Sequence, residues 1–398
     1  IIGGNMLFQT LDDKSECVGV YSNGELHFKD IPEGLSKTWG YSNFLYGMPI
    51  DYAQLYVNGK SLDDVCPSHL LEDWERVTNR LKAFIRSNQL AKVNLAENCF
   101  FDLTPERFLK EYCNIRNQIC EWVFEKYSRP DNYDHLLQVQ QVLSDIKYRK
   151  VNLDTKVLQD FWTEPKAKLL YKKFTGRDAY CDYNLFGSKT GRLSLSGNSL
   201  PLMNMKKEYR ACIKPNNDFF IELDYNAAEA RVVLALLGLD QPDEDIHDYN
   251  AKNLYHSTRD EAKKRFFAWL YNPNSDDTVS NGQYDRDLIL GRYFLYGSVE
   301  NLFKRKIQCD DYHALNYLIQ STCADMVLDR MVAIYKLLQG RKSYVAFTLH
   351  DSVIIDFASE DKELIKPIIE EYRSTKLGRF VTNVSAGKDL YNINKICI

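Results

Sequence analysis

Three observations predict an α+β fold for this chain. Residues 1 to about 70 carry short Val, Tyr and Phe runs broken by turn signals such as Asn58-Gly59, which indicates a small sheet-rich region. From about Ser68 to Leu158 the apolar residues recur three and four positions apart with few glycines, which predicts helices. After about Lys166 strand-like and helical patterns alternate, so both kinds of element should build the remainder.

The second half of the chain contains several elements with clear patterns. Phe219 to Tyr225 is a short apolar run typical of a strand, and a helical pattern follows it from Ala227 to Leu237. Tyr344 to Asp356 contains two apolar runs around a polar tip, as in a hairpin. Two longer helices are expected beside these elements, at Thr258 to Tyr271 and at Tyr312 to Leu338.

Composition alone names no function for the 398-residue chain. It is 44% apolar and 27% charged with a net charge of −4, which is ordinary for a globular protein of two or three domains. Residues 147 to 214 nevertheless hold 15 Lys and Arg against 6 Asp and Glu. Such a segment suits a polyanion, although a solvated basic face has the same composition.

The cysteine and hydropathy patterns indicate a soluble protein of a reducing compartment. The ten cysteines contain no C-x-x-C pair, so we expect reduced thiols that lie mostly in the core. No run approaches the roughly 18 apolar residues that span a bilayer, so no membrane partner is expected. The chain begins at Ile1 and lacks a signal-like segment, as expected of a processed or trimmed product.

A carboxylate at the end of the predicted strand begins the first chemically suggestive unit. Asp224 is followed on the next helix by Glu229 and Arg231. An Asp before a helix is more often a cap than a ligand, so this unit alone is weak evidence.

A second unit places two cations and two aromatic rings at a constant spacing of four residues. Arg259, Lys263, Phe267 and Tyr271 should therefore lie along one helix face. Cations neutralise phosphates and rings stack on bases, so this face suits a nucleoside triphosphate. In the alternative interpretation the two rings are core residues and the two cations are ordinary surface residues.

The hairpin tip His350-Asp351-Ser352 is the third unit. If its strands neighbour the strand of Asp224, the two carboxylates can hold two Mg²⁺ ions about 4 Å apart, as in nucleotidyl transfer. A single hairpin Asp is otherwise usually a turn former.

These units resemble motifs of the family A DNA polymerases. Leu223 to Ala235 is similar to the family's D-Y-S-Q-I-E-L-R motif, and the helix from Arg259 to Tyr271 matches its nucleotide-binding helix position by position. Asp245-Ile246-His247 resembles the D-I-H segment that leads into the fingers.

Further segments extend the resemblance collinearly over roughly residues 136 to 395. Thr190 to Ser194 reads T-G-R-L-S, like the segment that grips the primer-template duplex. Ala314 to Asp325 resembles the palm helix A-x-N-x-x-x-Q-G-T-A-A-D, and Val381 to Tyr391 resembles the closing strand. Seven such matches in order identify the chain as similar to a compact, divergent, phage- or organelle-like member.

The resemblance implies a right-hand polymerase fold with an antiparallel palm sheet, helical fingers, a helical thumb and a small amino-terminal α/β remnant. The implied divisions are 1–70 for the sheet-rich exonuclease-like remnant or docking region, 71–165 for the thumb and connection, 166–240 for the first part of the palm, 241–310 for the fingers and 311–398 for the second part of the palm.

The resemblance also implies roles for individual residues. The two Mg²⁺ ions would be held by Asp224, Asp351 and the backbone carbonyl of Tyr225, with Lys263 assisting catalysis. The deoxynucleoside triphosphate would be bound by Arg259, Lys263, Phe267, Tyr271, His247 and Glu229. Primer-template DNA would contact Thr190, Arg192, Asn204, Arg210, Arg231, Asn316, Gln320 and His350.

Departures from the family pattern leave two alternatives open. Ser352 stands where DNA-copying members usually carry Glu, and His-Asp-Ser is the usual form in single-subunit RNA polymerases. Glu229 favours deoxynucleotides, because with the Tyr matching Tyr271 it closes the space of a ribose 2′-hydroxyl in the family. The second alternative is a catalytically silent nucleic-acid-binding module of a replication complex, suggested by the missing acid and by short fingers.

The amino-terminal region is predicted to lack proofreading. That chemistry requires a strand-borne D-x-E pair for metals, whereas Asp73-Trp74-Glu75 lies in a helical pattern and Asp12 to Glu16 is typical of an acidic turn. The region would then be a remnant or a docking surface for a replication accessory protein. The predicted function is template-directed addition of deoxynucleotides to a primer 3′ end.

Overall fold

The structure, a computed structural model, describes residues 6–14, 16 and 19–396. The chain divides into two compact units, Ile1–Tyr148 and Arg149–Ile398. This boundary falls inside the segment 71–165, and the five-part division expected from the sequence remains a prediction.

The first unit contains a mixed sheet packed against helices, as the patterns before and after Ser68 predict. Its strands are β1 (Met6–Thr10), β2 (Val20–Ser22), β3 (Glu25–His27), β4 (Leu35–Thr38) and β5 (Asp51–Tyr52). Its α-helices are α1 (Ala53–Tyr56), α2 (Leu62–Val65), α3 (Leu71–Leu90), α4 (Glu106–Lys126) and α5 (Tyr133–Lys147), with 3-10 helices at Asn43–Leu45, Ser68–Leu70 and Phe100–Leu103. The sheet order is β3-β2-β1-β4-β5, and β1 is antiparallel to β2 but parallel to β4.

The acids of this unit that were compared with a proofreading site lie in an ion pair or on a helix. Asp12 is buried and forms a 2.7 Å ion pair with Lys14, while Asp73 and Glu75 lie on the helix α3. Ser15, in the predicted acidic turn, lies outside the described residues. A buried ion pair is a structural feature, because each charge compensates the other away from water.

Two chemical expectations can be compared with the structure. Cys99 is disulfide-bonded, so the expectation that every cysteine is a reduced thiol is wrong for this residue. Seven described cysteines are free thiols, and most of them are buried as expected. Within residues 6–14, 16 and 19–396, no helix combines the length and apolar character that crossing a membrane requires.

The second unit is richer in short strands. These are β6 (Asn152–Leu153), β7 (Tyr183–Asn184), β8 (Ser194–Leu195), β9 (Ile213–Lys214), β10 (Phe219–Tyr225), β11 (Phe294–Leu295), β12 (Ser298–Glu300), β13 (Lys306–Gln308), β14 (Tyr344–Leu349), β15 (Ser352–Phe357), β16 (Ser374–Thr375), β17 (Gly378–Arg379), β18 (Thr382–Gly387) and β19 (Ile393–Lys395).

The helices of the second unit are α6 (Pro165–Phe174), α7 (Ala228–Leu237), α8 (Ile246–Asn250), α9 (Arg259–Tyr271), α10 (Thr278–Gln283), α11 (Arg286–Tyr293), α12 (Asp311–Leu337) and α13 (Ile365–Arg373). Shorter helical turns occur at Thr155–Phe161, Leu202–Asn204, Lys207–Cys212, Ala251–Tyr255 and Ser359–Leu364.

An antiparallel sheet of five strands organises this unit, in the order β14-β15-β10-β18-β19. The central strand β10 pairs with β15 on one side and with β18 on the other. Its side chains Phe220 and Leu223 are buried, as its apolar sequence requires. The long helix α12 packs against α7 and against the hairpin of β14 and β15.

Capping explains where the two functionally interesting helices begin and end. Thr258 and Glu261 form a capping box at the start of α9, and the chain leaves this helix at Asn272 before Pro273. Helix α7 ends at Gly238, whose φ of +73° is easily adopted by glycine. Helix α7 begins one residue later than predicted, because Ala227 adopts a left-handed conformation with φ +51°.

Candidate active site

The end of the central sheet brings the two predicted carboxylates to neighbouring strands. Asp224, near the end of β10, lies opposite Ser352, the first residue of β15, and Asp351 immediately precedes Ser352 at the hairpin tip. His350, before Asp351, has a φ of +57°. Two non-glycine residues in left-handed conformation, Ala227 and His350, therefore lie beside the two acids, and such strain clusters at functional sites.

The charge at this sheet end is not balanced by the described protein. Burial, together with the neighbouring carboxylates of Glu222 and Asp351, raises the pKa of Asp224 to about 6, although a hydrogen bond from Asn383 acts in the opposite direction. That hydrogen bond is long, at 3.4 Å. Among the described residues, no Lys, Arg or His forms an ion pair with Asp224 or Asp351. Adjacent acids without a cation form an environment that favours a bound metal ion.

The donor set at this position fits Mg²⁺ better than a transition metal. Within the described part of the chain, no group of three or more His, Cys, Asp or Glu could hold a metal. Mg²⁺ is usually bound by one or two carboxylates together with waters and substrate phosphates, so Asp224 and Asp351 form an adequate protein contribution. Tyr225 could offer only its carbonyl, because its ring stacks on Tyr372 at 4.3 Å and its hydroxyl donates to the Tyr372 carbonyl.

A third carboxylate, Glu222, lies beside this pair and was missed in the sequence. The Ser352 hydroxyl donates to Glu222 Oε1 at 3.2 Å, so the residue that replaces the expected Glu contacts an acid on the adjacent strand. Alternation along a strand places Glu222 on the same face as Asp224, and this two-residue spacing was the available signal.

Helix α9 presents the predicted cations to solvent and its other side to the core. Arg259 and Lys263 are exposed, and Phe267 is half-buried. The core-facing residues of this helix are instead Ala262, Phe266, Trp269 and Leu270. The alternative interpretation of Phe267 and Tyr271 as core residues is therefore wrong.

An open cavity of about 390 Å³ lies between α9 and the end of the sheet. Asp351 and Tyr225 line its sheet side, Glu229 lines the side of α7, and Phe267 and Tyr271 line the side of α9. The two rings are parallel within 9° with centroids 5.7 Å apart. The cavity therefore combines a carboxylate with a flat aromatic wall.

Glu229 contacts two of the other predicted site residues. It is 8% exposed and accepts a 2.8 Å hydrogen bond from Arg192, together with a short one from the Tyr271 hydroxyl. Burial, and then the Glu229 carboxylate, raise the pKa of Tyr271 well above its ordinary value. Gln320 also hydrogen-bonds to Tyr271. These contacts fix the Tyr271 ring at the cavity wall.

Arg259 is held by an acid that the sequence did not identify as part of the site. Its guanidinium donates to Asp245 at 2.8 Å, and the same carboxylate oxygen accepts from Asn226 at 2.8 Å. Burial raises the pKa of Asp245, but the hydrogen bonds from Arg259 and Asn226 outweigh it, so its pKa lies well below the ordinary range. Asp245 thus positions Arg259 in the absence of a ligand.

His247 is an unsatisfied polar group beside these cations. It is 2% exposed, its ring lies 5.8 Å from that of Phe267, and its Nδ1 is buried without a hydrogen-bond partner among the described residues. Burial, together with the charges of Lys263 and Arg259, lowers the pKa of His247 to about 4, although the carboxylate of Asp245 acts in the opposite direction. The ring is therefore neutral at pH 7 and can hydrogen-bond a ligand.

Arg231 does not lie where DNA could reach it, which corrects its prediction as a DNA-binding residue. Its side chain is fully buried and donates at 2.8 Å to three backbone carbonyls, those of Asn226, Pro242 and Glu244. Burial lowers the pKa of Arg231 to about 10. The residue fastens the loop after α7 to the start of that helix.

The other predicted DNA contacts have mixed surroundings. Asn204 and His350 are exposed, Thr190 is buried, and Arg192, Arg210, Asn316 and Gln320 are half-buried. Asn316 Oδ1 and Arg210 Nε are buried without partners among the described residues, as is often seen where a ligand completes the hydrogen bonds.

A buried ion pair next to the T-G-R-L-S segment was also not predicted from the sequence. Arg305 donates twice at 2.8 Å to Asp325 of α12, and Asn301 donates to the same carboxylate. Gly191 packs directly on the Arg305 guanidinium, since a Cβ at position 191 would lie 2.7 Å from its Cζ. Position 191 of the T-G-R-L-S segment therefore requires glycine, because the buried guanidinium of Arg305 leaves no room for a Cβ.

Comparison with known proteins adds evidence about the fold. No family model matches the chain, and no curated protein sequence matches it. At the coarse level of mixed α and β elements with an antiparallel sheet, the fold is similar to that of a DNA polymerase domain. A structure of the POL domain of Pol1 from M. smegmatis, in complex with DNA primer-template and dNTP, aligns with a TM-score of 0.64 over 98% of this chain and 96% of that chain, at 11% identity.

Proposed function

We propose that this protein is a template-directed DNA polymerase that adds deoxynucleotides to a primer 3′ end by two-metal nucleotidyl transfer. One observation carries the proposal: Asp351, adjacent in the sheet to Asp224, shares a cavity of about 390 Å³ with Phe267 and Tyr271 of α9. The polymerase fold supports this, and the unbalanced acids support a metal requirement. The protein would use a palm, fingers and thumb in the divisions expected from the sequence.

The metal chemistry would be supplied at the sheet end. Asp224 and Asp351, with the carbonyl of Tyr225, would hold two Mg²⁺ ions. When bound, such ions activate the primer hydroxyl as a nucleophile and stabilise charge on the transferred phosphate and the leaving pyrophosphate.

The chain's own residues would position the triphosphate. Arg259 and Lys263 neutralise its β and γ phosphates, with Lys263 placed to give a proton to the leaving pyrophosphate. Arg259 must then divide its donors between Asp245 and phosphate. Neutral His247 can donate one hydrogen bond, and Phe267 packs on the sugar and base.

Selection of deoxynucleotides would depend on Glu229 and Tyr271. Their hydrogen bond closes one side of the cavity, and Arg192 holds the second oxygen of Glu229 at 2.8 Å. A ribose 2′-hydroxyl entering this side must displace part of the contact, which costs a buried carboxylate its hydrogen bond. The exposed His350 and Asn204 and the half-buried Asn316 and Arg210 would contact the primer-template.

Proofreading is not expected of this chain. Asp73 and Glu75 lie on α3 rather than on a strand, and Asp12 forms an ion pair with Lys14. A role of residues 1–70 as a docking surface for an accessory protein remains part of the same proposal.

Primer extension tests the function directly. The intact chain, with a labelled primer-template, Mg²⁺ and four deoxynucleotides, should lengthen the primer, and Asp224→Ala should not. Full extension by Asp224→Ala would refute the metal-ligand assignment. Duplex binding without extension by the intact chain would favour the silent module.

Ribonucleotides test the sugar selection in the same assay. The intact chain should discriminate against them, and Glu229→Ala should discriminate less while still extending with deoxynucleotides. Equal use of both sugars by the intact chain would favour an RNA polymerase.

A further inference from the structure

A second cavity, of about 570 Å³, lies in the same unit and shares no lining residue with the candidate active site. Arg149, Lys150 and Arg177 contribute its cations, and Asp178 is the acid among its lining residues. Lys150 forms an ion pair with Asp178, which leaves a lining excess of two positive charges. A volume of this size is adequate for a nucleotide-sized ligand.

Strand register places this cavity towards the opposite end of the central sheet. Asn216, one of its lining residues, donates its backbone N–H to Asp356 at 2.7 Å. Asp356 pairs with Phe220 on β10, four positions from the pairing of Asp224 with Ser352. Four residues of strand correspond to about 13 Å, so the cavity is a separate site.

Arg149 is held by a ring rather than by an acid. Its guanidinium lies 3.6 Å from the centroid of the Tyr344 ring. No described acid pairs with it, so its fork of N–H donors remains available to a ligand. An arginine stacked in this way is preorganised for bidentate binding of phosphate, since less rotational freedom is lost when the ligand arrives.

The wall behind this arginine is rigid. Asn216 Nδ2 lies 2.9 Å from the Tyr344 hydroxyl and donates at 3.2 Å to the Lys150 carbonyl. The Tyr344 hydroxyl donates to Asp356 at 2.8 Å. The second free cation, Arg177, is exposed at the cavity mouth next to Gly176, where no atom lies within 4 Å of an added Cβ. The cavity therefore combines one arginine that is held against a ring with one exposed arginine.

We infer that this cavity is a phosphate-binding site distinct from the candidate active site, with Arg149 and Arg177 as its anion-binding residues. The phosphate could belong to a nucleic acid strand or to a free polyphosphate, since both present the same oxygens to the guanidinium groups. The inference does not depend on polymerase activity.

Protection from arginine modification locates the binding. The full chain is treated with phenylglyoxal alone, with inorganic tripolyphosphate, or with a short oligothymidylate, and modified peptides are quantified by mass spectrometry. Modification of Arg149 and Arg177 should slow about tenfold with ligand at ten times its Kd. Exposed Arg107, in the other unit, serves as the internal control and should keep its rate.

The two ligands separate the sources of phosphate. Protection by tripolyphosphate alone supports a free polyphosphate, protection by the oligonucleotide alone supports a strand, and protection by both supports a site for either. Unchanged rates at Arg149 and Arg177 with both ligands would overturn the inference. Loss of protection in Asp224→Ala would overturn the claim that the two sites are separate.

Salt dependence provides a second readout. Binding of the labelled oligothymidylate is measured by fluorescence anisotropy against salt for the intact chain and for Arg149→Gln/Arg177→Gln. Losing two phosphate contacts should reduce the slope of log K against log salt by about 1.4. Lys362→Gln/Lys366→Gln, which removes the same charge from exposed positions elsewhere, should leave the slope unchanged. Equal slopes for both double variants would contradict a nucleic acid strand as the ligand. Only protection by tripolyphosphate would then support the site.

Discussion

The paired strands β10 and β15 carry one aspartate near each end of their pairing, Asp224 on β10 and Asp356 on β15. The two carboxylates differ in the hydrogen bonds that they accept. Asp356 is 2% exposed, and its carboxylate accepts three hydrogen bonds of 2.7 to 2.9 Å, from Asn216 N, Asn217 N and the Tyr344 hydroxyl. Asp224 has a single long contact and two acidic neighbours, Glu222 and Asp351. A satisfied acid stabilises the fold, whereas an unsatisfied acid requires an explanation, and a bound ion is the one proposed above.

The largest expected effect separates the two acids by activity. Asp224→Asn should lower primer extension by about three orders of magnitude, because metal stabilisation of the transferred phosphate is worth several kcal/mol. Asp356→Asn should keep extension near that of the intact chain when rates are corrected for the folded fraction. The measurement is single-turnover extension. Similar losses in both variants would mean that this difference between the acids has no functional meaning.

The next effect is a dependence of stability on pH. The pKa of Asp224 rises from 3.8 to about 6 on folding, so between these values the folded state holds more protons than the unfolded state. Stability should therefore fall as pH rises through this window, by about 3 kcal/mol in total without Mg²⁺. Urea unfolding at several pH values should show this loss in the intact chain and not in Asp224→Asn. Parallel curves for the two proteins would contradict the raised pKa of Asp224, which is caused first by burial and then by the charges of Glu222 and Asp351.

At a single pH, only one of the two variants should lose stability. At pH 7 without metal, Asp356→Asn should lower the free energy of unfolding by about 1–3 kcal/mol, because buried backbone donors lose their acceptor. Asp224→Asn should leave it unchanged or raise it, since the substitution removes a repelled charge. Chemical denaturation gives both values, and destabilisation by Asp224→Asn would show that this acid is structural.

The smallest expected effect is stabilisation by Mg²⁺. At ten times its Kd, a bound ion should raise the free energy of unfolding by about 1.4 kcal/mol. Thermal shift should record this for the intact chain and for Asp356→Asn, but not for Asp351→Asn. A shift that survives in Asp351→Asn would assign the ion to another place.

Local patterns predicted the elements well and their partners poorly. The strand β10 and the helix α9 have the expected bounds because an uninterrupted apolar run and a capping box act within a few residues. The neighbouring position of Asp224 and Asp351 required only that two strands adjoin. The sequence-based roles of these acids as metal ligands remain predictions.

Apart from Glu222, the residues that the sequence analysis missed or misplaced make contacts that have no local signal. Arg231 occupies a surface-like position in the helical pattern, but the loop after α7 folds back and covers its guanidinium with carbonyls. Asp245 belongs to a short sequence motif, but its hydrogen bond with Arg259 could not be predicted from that motif. Nothing near Cys99 in the sequence indicates that this cysteine forms a disulfide. Such partners depend on how distant segments return to each other, which spacing does not encode.

The packing of Gly191 on Arg305 links the interior of the protein to the proposed selection of deoxynucleotides. The two hydrogen bonds to Asp325 prevent the guanidinium from retreating, so a methyl group at position 191, already disfavoured by its φ of +78°, would have to shift the backbone itself. The neighbouring Arg192 would move with it and release Glu229. A residue that touches no nucleotide would in this way decide how tightly the enzyme distinguishes one sugar from another.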